Sequence, residues 1–182
     1  MAEIVISQGR TVDLIVVSQA DEDWPSSVML DATERIIMES GRPVLVIPNN
    51  GRQLTRLTRA VVGWNGRREA TRAVFDALPF LKQVDEVKVL CVNPQEEGGM
   101  EEDLPGAEIC SALSRHGVRC EATEVARPRI GVGETLLSRF KEFDADLLVM
   151  GAYGHSRFRE FVLGGASRHV LQHMMVPVLM SH

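Results

Sequence analysis

A doubly wound α/β fold, with a five-stranded parallel sheet and helices on both faces, is predicted by two features of the sequence. From residue 59 onward, short apolar runs alternate with helical stretches, giving five strands separated by four helices. Several of those runs are apolar on both faces, as strands must be in a parallel sheet covered on both sides.

The elements follow in order. "RAVVGW" (59–64) reads as a strand, and "REATRAVFDALPFLK" (68–82) places Ala70, Val74, Leu78 and Leu81 at helical spacing. "EVKVLCV" (86–92) is a second strand, and the acidic, turn-rich "NPQEEGGMEEDLPG" leads to a helix at about 106–116 closed by Gly117. The strand "RCEATEV" (119–125), the helix "GETLLSRFKEF" (133–143) and the strand "DLLVM" (146–150) come next. A helix after Gly165 and the strand "VPVLMS" (176–181) complete the set, with Met174 and Met175 expected to fill the core under that strand.

The first fifty residues echo the end of this unit. "DLIVVSQ" (13–19) parallels "DLLVMGA" (146–152), and "RPVLVIP" (42–48) parallels "VPVLMSH" (176–182), with a helix-like segment inside each pair. The expected organisation is a partial, degenerate copy at 1–50, a linker at 51–58 and a complete domain at 59–182. A strand–helix–strand piece has too little core to fold alone, so it is expected to dock on the larger domain or on another molecule.

With 182 residues, 45% of them hydrophobic, the chain can bury one substantial core and part of another. Its apolar runs are far shorter than the roughly 20 residues that cross a bilayer, and its start lacks a basic-then-apolar signal pattern, so the cytoplasm is the expected location and no membrane partner is expected. A net charge of −5 argues against nucleic acid as a partner and requires that any polyanionic ligand be held locally. Of Cys91, Cys110 and Cys120, two lie inside strand-like runs, which predicts buried, unreactive thiols.

The stretch with the clearest chemistry is "MGAYGHSRFREFVLGGASRHV" (150–170). Gly151 and Gly154 follow a strand, and nine residues later Gly164 and Gly165 open a helix. Glycine lets a ligand approach the backbone, and a helix start supplies unpaired N–H groups and partial positive charge; these are the parts of a phosphate cradle.

These residues resemble the universal stress protein family, whose nucleotide-binding members carry Gly-x2-Gly-x9-Gly-(Ser/Thr) after the fourth strand. The flanking "ADLLVMGAYGHSRFREFVLGG" and the closing "VPVLM" strengthen the likeness, and residues 1–50 resemble the tail of a first domain in tandem members. The resemblance implies an adenine nucleotide α-hydrolase-like fold and bound ATP or ADP, with Mg as a possible companion. Carried over by position, the first-strand end at Gly63, Trp64 and Asn65 and the second-strand end at Val92 would meet the base and ribose. Gly151 and Gly154 would line the ribose and phosphates, beside His155 and Arg157, while Gly164, Gly165, Ala166 and Ser167 would wrap the phosphates. Two positions depart from the family: Asn65 stands where an Asp is usual, and Gly165 replaces the Ser or Thr. The resemblance also implies a homodimer or pseudo-dimer through the last strand.

Blander readings stand beside these. The glycines can also serve tight turns without a ligand, the less favoured reading given their spacing and position, and His155, Arg157, Arg159, Arg127 and Arg129 are also what a solvated loop contains. "GVGETL" (131–136) lacks the third glycine of a dinucleotide fingerprint, there is no GxxxxGK[ST] loop, and His169 and His173 lack the Glu of HExxH, so no metal site is expected. No Asp or Glu in the motif is placed to position a water, so no catalytic residue is assigned. The functions left open are a nucleotide-dependent stress or signalling module, a slow ATPase and a nucleotide-free interaction module.

Overall fold

The computed structural model describes residues 1–20, 26–51, 55–92, 106–125, 130–152 and 163–182, with 26–31 described by backbone alone. Seven strands form one sheet: β1 (Ile15–Ser18), β2 (Val44–Ile47), β3 (Arg59–Trp64), β4 (Glu86–Val92), β5 (Cys120–Val125), β6 (Leu147–Gly151) and β7 (Val178–Ser181). Their order is β1-β2-β7-β6-β3-β4-β5. The helices are α1 (Ala2–Gly9), α2 (Ser26–Glu39), α3 (Arg68–Asp76), α4 (Leu78–Leu81), α5 (Ala107–Arg115), α6 (Val132–Glu142) and α7 (Gly165–His173).

The five strands expected from 59–182 are β3 to β7, all parallel to their neighbours among themselves. The sheet has seven strands rather than five because the N-terminal piece adds β2 and β1. β2 runs antiparallel along the edge of β7, with Val44 opposite Met180 and Val46 opposite Val178, and β1 lies parallel to β2. All four residues of β7 are buried, so a bare β7 edge would put an apolar strand at the rim of the sheet.

Side-chain alternation divides the core into two layers. Val61, Leu148, Met150, Val178 and Met180 pack with Val44 and Val46 against Leu136 and Phe140 of α6 and Val170 and Leu171 of α7. On the opposite face Val62, Val89, Val149 and Leu179 meet Ala73 and Val74 of α3 and Ile109 and Leu113 of α5. Each fully buried Val or Leu contributes roughly 1.5–3 kcal/mol of transfer free energy. Asp146 fixes the start of the central pair: its Oδ2 accepts from the Thr58 N–H at 2.7 Å, the Thr58 hydroxyl, and the Arg59 N–H at 3.1 Å.

Three local differences from the sequence expectation have physical causes. The single helix over 68–82 is two, α3 and α4, because Pro79 cannot donate to the carbonyl of Phe75. The first helix, α1, follows from the buried Ala2, Ile6 and Gly9 at i, i+4 and i+7; a Cβ on Gly9 would sit 2.5 Å from Ile15 Cδ1. Met174 fills the core as expected, but Met175 is 60% exposed, because helical geometry ends before it and its side chain turns to the other side of the chain.

Candidate functional site

The chain runs outward from β3 through β4 to β5, then returns to β6 on the other side of β3. Such a reversal parts the connections on either side and leaves a crevice at the carboxyl ends of the strands. A depression of about 130 Å³ lies there, with walls that include Gly63, Trp64 and Asn65 of the β3 end, Val92 of β4, Gly151 of β6, and Ala166 and Ser167 of α7. A larger one, about 350 Å³, lies among Thr55, Arg56, Leu57 and Gln83 before β3 and β4. That groove is at the amino ends, where Arg56 pairs with Asp85 at 2.8 Å and both side chains are mostly in water. The carboxyl-end crevice is the candidate site because the topology creates it and two helix starts converge on it. Pockets that hold a whole cofactor begin at roughly 300 Å³, so the described walls enclose only part of such a ligand.

The first helix start belongs to α7. Gly164 is its N-cap, in an extended conformation with φ −61° and ψ 155°, and no side chain caps it. The Arg168 N–H donates to the Gly164 carbonyl at 3.1 Å, which by helix geometry leaves the N–H groups of Gly165, Ala166 and Ser167 without intrahelical acceptors. A Cβ added to Gly165 would meet nothing within 4 Å among the described residues, so none of them fills that position of the helix start. It is the part of the crevice best suited to an anion.

The second helix start, that of α3, carries its own negative charge. Glu69 is 8% exposed and lines the crevice, and its carboxylate accepts from the Arg68 Nε at 2.8 Å. Burial pushes the Glu69 carboxyl up, but the Arg68 hydrogen bond, its own backbone N–H and the charges of Arg68 and His182 together hold it below the usual carboxylate range. Asn65 Oδ1 accepts from the Arg67 N–H at 3.1 Å and shapes the turn into this helix. The crevice is otherwise largely apolar, lined by Trp64, Leu90, Val92, Val132, Leu136 and Met150, with a few polar groups at its helix starts: backbone donors at α7 and the Glu69 carboxylate at α3.

Gly151 has a different reason for being glycine from the one its motif suggests. A Cβ there would lie 2.5 Å from Ala70 N and from the Glu69 carbonyl carbon. The space a side chain would take is filled by the backbone of α3, so Gly151 lets the helix sit against β6 as well as lining the crevice. Gly133 acts likewise between helices: a Cβ would lie 2.7 Å from the Ala166 carbonyl oxygen of α7. The "GVGETL" glycine is thus used in packing α6 against α7.

Of the residues expected from the sequence, Gly63, Trp64, Asn65, Val92, Gly151, Ala166 and Ser167 line one crevice, and Gly164 and Gly165 stand at the head of its α7 wall. Gly154, His155 and Arg157 lie outside the described residues, as do Arg159, Arg127 and Arg129. Sequence reasoning missed Glu69, Ala70, Leu90, Val132, Leu136 and Met150. The apolar ones carry only the periodicity of core residues, but Glu69 bore a signal: an acid in the first turn of a helix that follows a strand at the crevice. His169 and His173 stack at 4.2 Å, with His173 Nδ1 2.9 Å from the His169 carbonyl oxygen, and no metal-binding group of three or more His, Cys, Asp or Glu occurs among the described residues. No described helix is long and apolar enough to cross a membrane.

Comparison with known proteins agrees with this architecture. The sequence model of the universal stress protein family matches residues 57–182. The chain belongs to the universal stress protein family. It is 30% identical over 151 residues to universal stress protein Slr1230 of Synechocystis, covering 80% of this chain and 49% of that protein. The chain thus spans about half the length of this curated relative. A universal stress protein of Archaeoglobus fulgidus superposes with a TM-score of 0.77 at 18% identity, over 99% of this chain and 64% of that one. A universal stress protein solved in complex with cAMP gives 0.52 at 21% identity, over 70% of this chain and 98% of that one. At these identities the structural likenesses establish the fold.

Proposed function

We propose that the crevice binds an adenine nucleotide, ATP or ADP, and that the chain acts as a stress-response or signalling module through nucleotide-dependent conformation or partner binding. The observation that carries this reading is the uncapped start of α7 at the topological switch point, where no described residue fills the space beside Gly165. In the proposed pose the base lies toward Trp64, Asn65 and Val92, and the phosphates lie at Gly164, Gly165, Ala166 and Ser167, with Gly154, His155 and Arg157 following on from them. Mg accompanies the phosphates as a counter-charge. The cAMP complex of a relative with the same fold supports a nucleotide as the ligand class.

Binding without rapid turnover fits the residues present. Glu69 is the one carboxylate among the described lining residues, and its ion pair with Arg68 occupies it. Asn65 supplies hydrogen bonds but no base. We further propose that residues 1–50 are a degenerate partial domain, 51–58 a linker and 59–182 the complete nucleotide-binding domain. The antiparallel β2–β7 junction is then the pseudo-dimer contact, made within one chain, and the protein works in the cytoplasm.

Calorimetric titration of nucleotide-stripped protein with Mg-ATP and with ADP tests the reading. Saturation near one site per chain is expected, with affinity lost in Gly164→Val at unchanged far-UV circular dichroism. Val accepts the extended backbone of Gly164, and its branched side chain is expected to crowd the phosphates, with the circular dichroism checking that the variant has folded. Equal affinity in folded Gly164→Val would overturn the site. Absence of heat with either nucleotide would favour the interaction module.

A further inference from the structure

The three cysteines do not share one environment. Cys91 is 3% exposed on β4, and a Cβ added to Gly106 would lie 3.0 Å from its Sγ, so chain covers it closely. Burial, with the charge of Glu124, pushes its thiol up to about 11. Cys110 on α5 and Cys120 at the first position of β5 are only half-buried, contrary to the expectation of buried thiols, and all three are free. The Cys120 Sγ donates to the Cys110 carbonyl oxygen at 3.3 Å, which sets the Cys120 thiol directly against the residue that carries the Cys110 thiol.

A short, rigid connection holds them there. α5 ends with Val118 N–H donating to the Leu113 carbonyl at 3.1 Å and Gly117 N–H to Ser114 at 2.9 Å, with Gly117 at φ +80°. This double bond with a left-handed glycine reverses the chain directly into β5 and lays Cys120 beneath Cys110. Burial of Ile109 and Leu113 fixes which way α5 faces.

We infer that Cys110 and Cys120 are a site of reversible oxidation, closing to an intramolecular disulfide when the folded protein meets a small-molecule disulfide such as oxidised glutathione. Burial, the neighbouring Cys120 thiol and the charges of Cys91 and Glu121 all push the Cys110 thiol up. The Cys120 thiolate attacks one sulfur of the small disulfide, forming a mixed disulfide and expelling one thiolate, which takes up a proton. Cys110 then gives its proton to water and attacks the Cys120 sulfur, expelling the second thiolate. Two protein thiols are oxidised, and one small disulfide is reduced to two thiols. The product staples α5 to the edge strand β5, beside β4, whose end lines the crevice.

The test exposes native protein to oxidised glutathione, removes the glutathione, unfolds the protein in urea to block residual thiols with an alkylating reagent, and reads the intact mass and the peptide map. The expected product has lost two hydrogens, carries one alkyl group, on Cys91, and links the peptides of Cys110 and Cys120. Cys91→Ser should form the same link. Cys120→Ser should lose the link and react slowly, and Cys110→Ser should accumulate a stable glutathione adduct on Cys120. A linkage involving Cys91, a lasting glutathione adduct in the wild type, or a Cys110–Cys120 link that forms only when oxidised glutathione is added to urea-unfolded protein would each overturn the assignment.

Discussion

The segments β6–α7–β7 and β1–α2–β2 have the same strand–helix–strand order and meet across the antiparallel β2–β7 junction, yet they do opposite work. In the first, Gly151 admits the backbone of α3 and Gly164–Gly165 leave the start of α7 open, so the unit forms one wall of a crevice. In the second, Ser18 stands in place of Gly151, and the polar side chains reach across to hold the first unit. Gln19 Nε2 donates to the Leu171 and Gln172 carbonyls at 2.9 and 3.2 Å, satisfying acceptors at the end of α7. Glu34, 3% exposed, accepts from Arg168 Nε at 2.8 Å and from its Nη2 at 3.1 Å. One unit keeps its helix start open while the other fastens the same helix in place. The difference shows how two segments of the same strand–helix–strand order divide into crevice wall and buttress when one carries side chains where the other carries glycines.

Substitutions that break this division should rank by how much rigid structure they disturb. Gly151→Ala should cost the most, about 3 kcal/mol in urea unfolding, because its Cβ meets backbone that cannot step aside. Gly165→Ala, in space that no described residue fills, should change stability by under about 0.5 kcal/mol. Similar costs at both glycines would mean that α3 does not press on β6 as described. Arg168→Ala should cost about 2 kcal/mol, since it strips a buried carboxylate of two charge-assisted hydrogen bonds. Glu34→Gln should lose less, because the amide leaves no uncompensated charge and the half-exposed Arg168 stays solvated.

Gln19→Ala should cost about 1 kcal/mol and raise hydrogen exchange in the last turn of α7 while sparing its start. Exchange rising equally along α7 would mean that the buttress holds the whole helix rather than its end. The smallest effect concerns pH. The folded Glu69 carboxyl is held below its ordinary value of 4.5, so its contribution is present above that pH and is lost as pH falls through the folded value. Wild type and Glu69→Gln should therefore differ in stability at neutral pH and converge in acid; a gap that widens in acid would reverse the assignment.

Much of this was legible in the sequence because the signals are local. Alternating apolar runs located β3 to β7, and glycine spacing located the head of α7. Pro79 was visible in the sequence, but the break it makes was hidden by the unbroken apolar spacing around it. Gly151 was legible as a glycine but not in its reason, since nothing near residue 151 in sequence names the α3 backbone as its neighbour. The paired environment of Cys110 and Cys120 was equally hidden, because ten residues of spacing do not say that a tight helix end folds one over the other.

By itself the sequence determined the alternation of strands and helices, the cover of helices on both faces of the sheet, the likeness of "DLIVVSQ" to "DLLVMGA" and most of the residues around the switch point. All of these rest on periodicity and turn chemistry, which act over a few residues. Only the tertiary structure decided that β2 joins the edge of β7 antiparallel, that Glu34 meets Arg168 across 134 positions of sequence, and that α3 closes on Gly151. Those choices depend on which apolar edges and buried charges find partners once the sheet has formed. Complementarity of surfaces that exist only in the folded chain is not written at any one position.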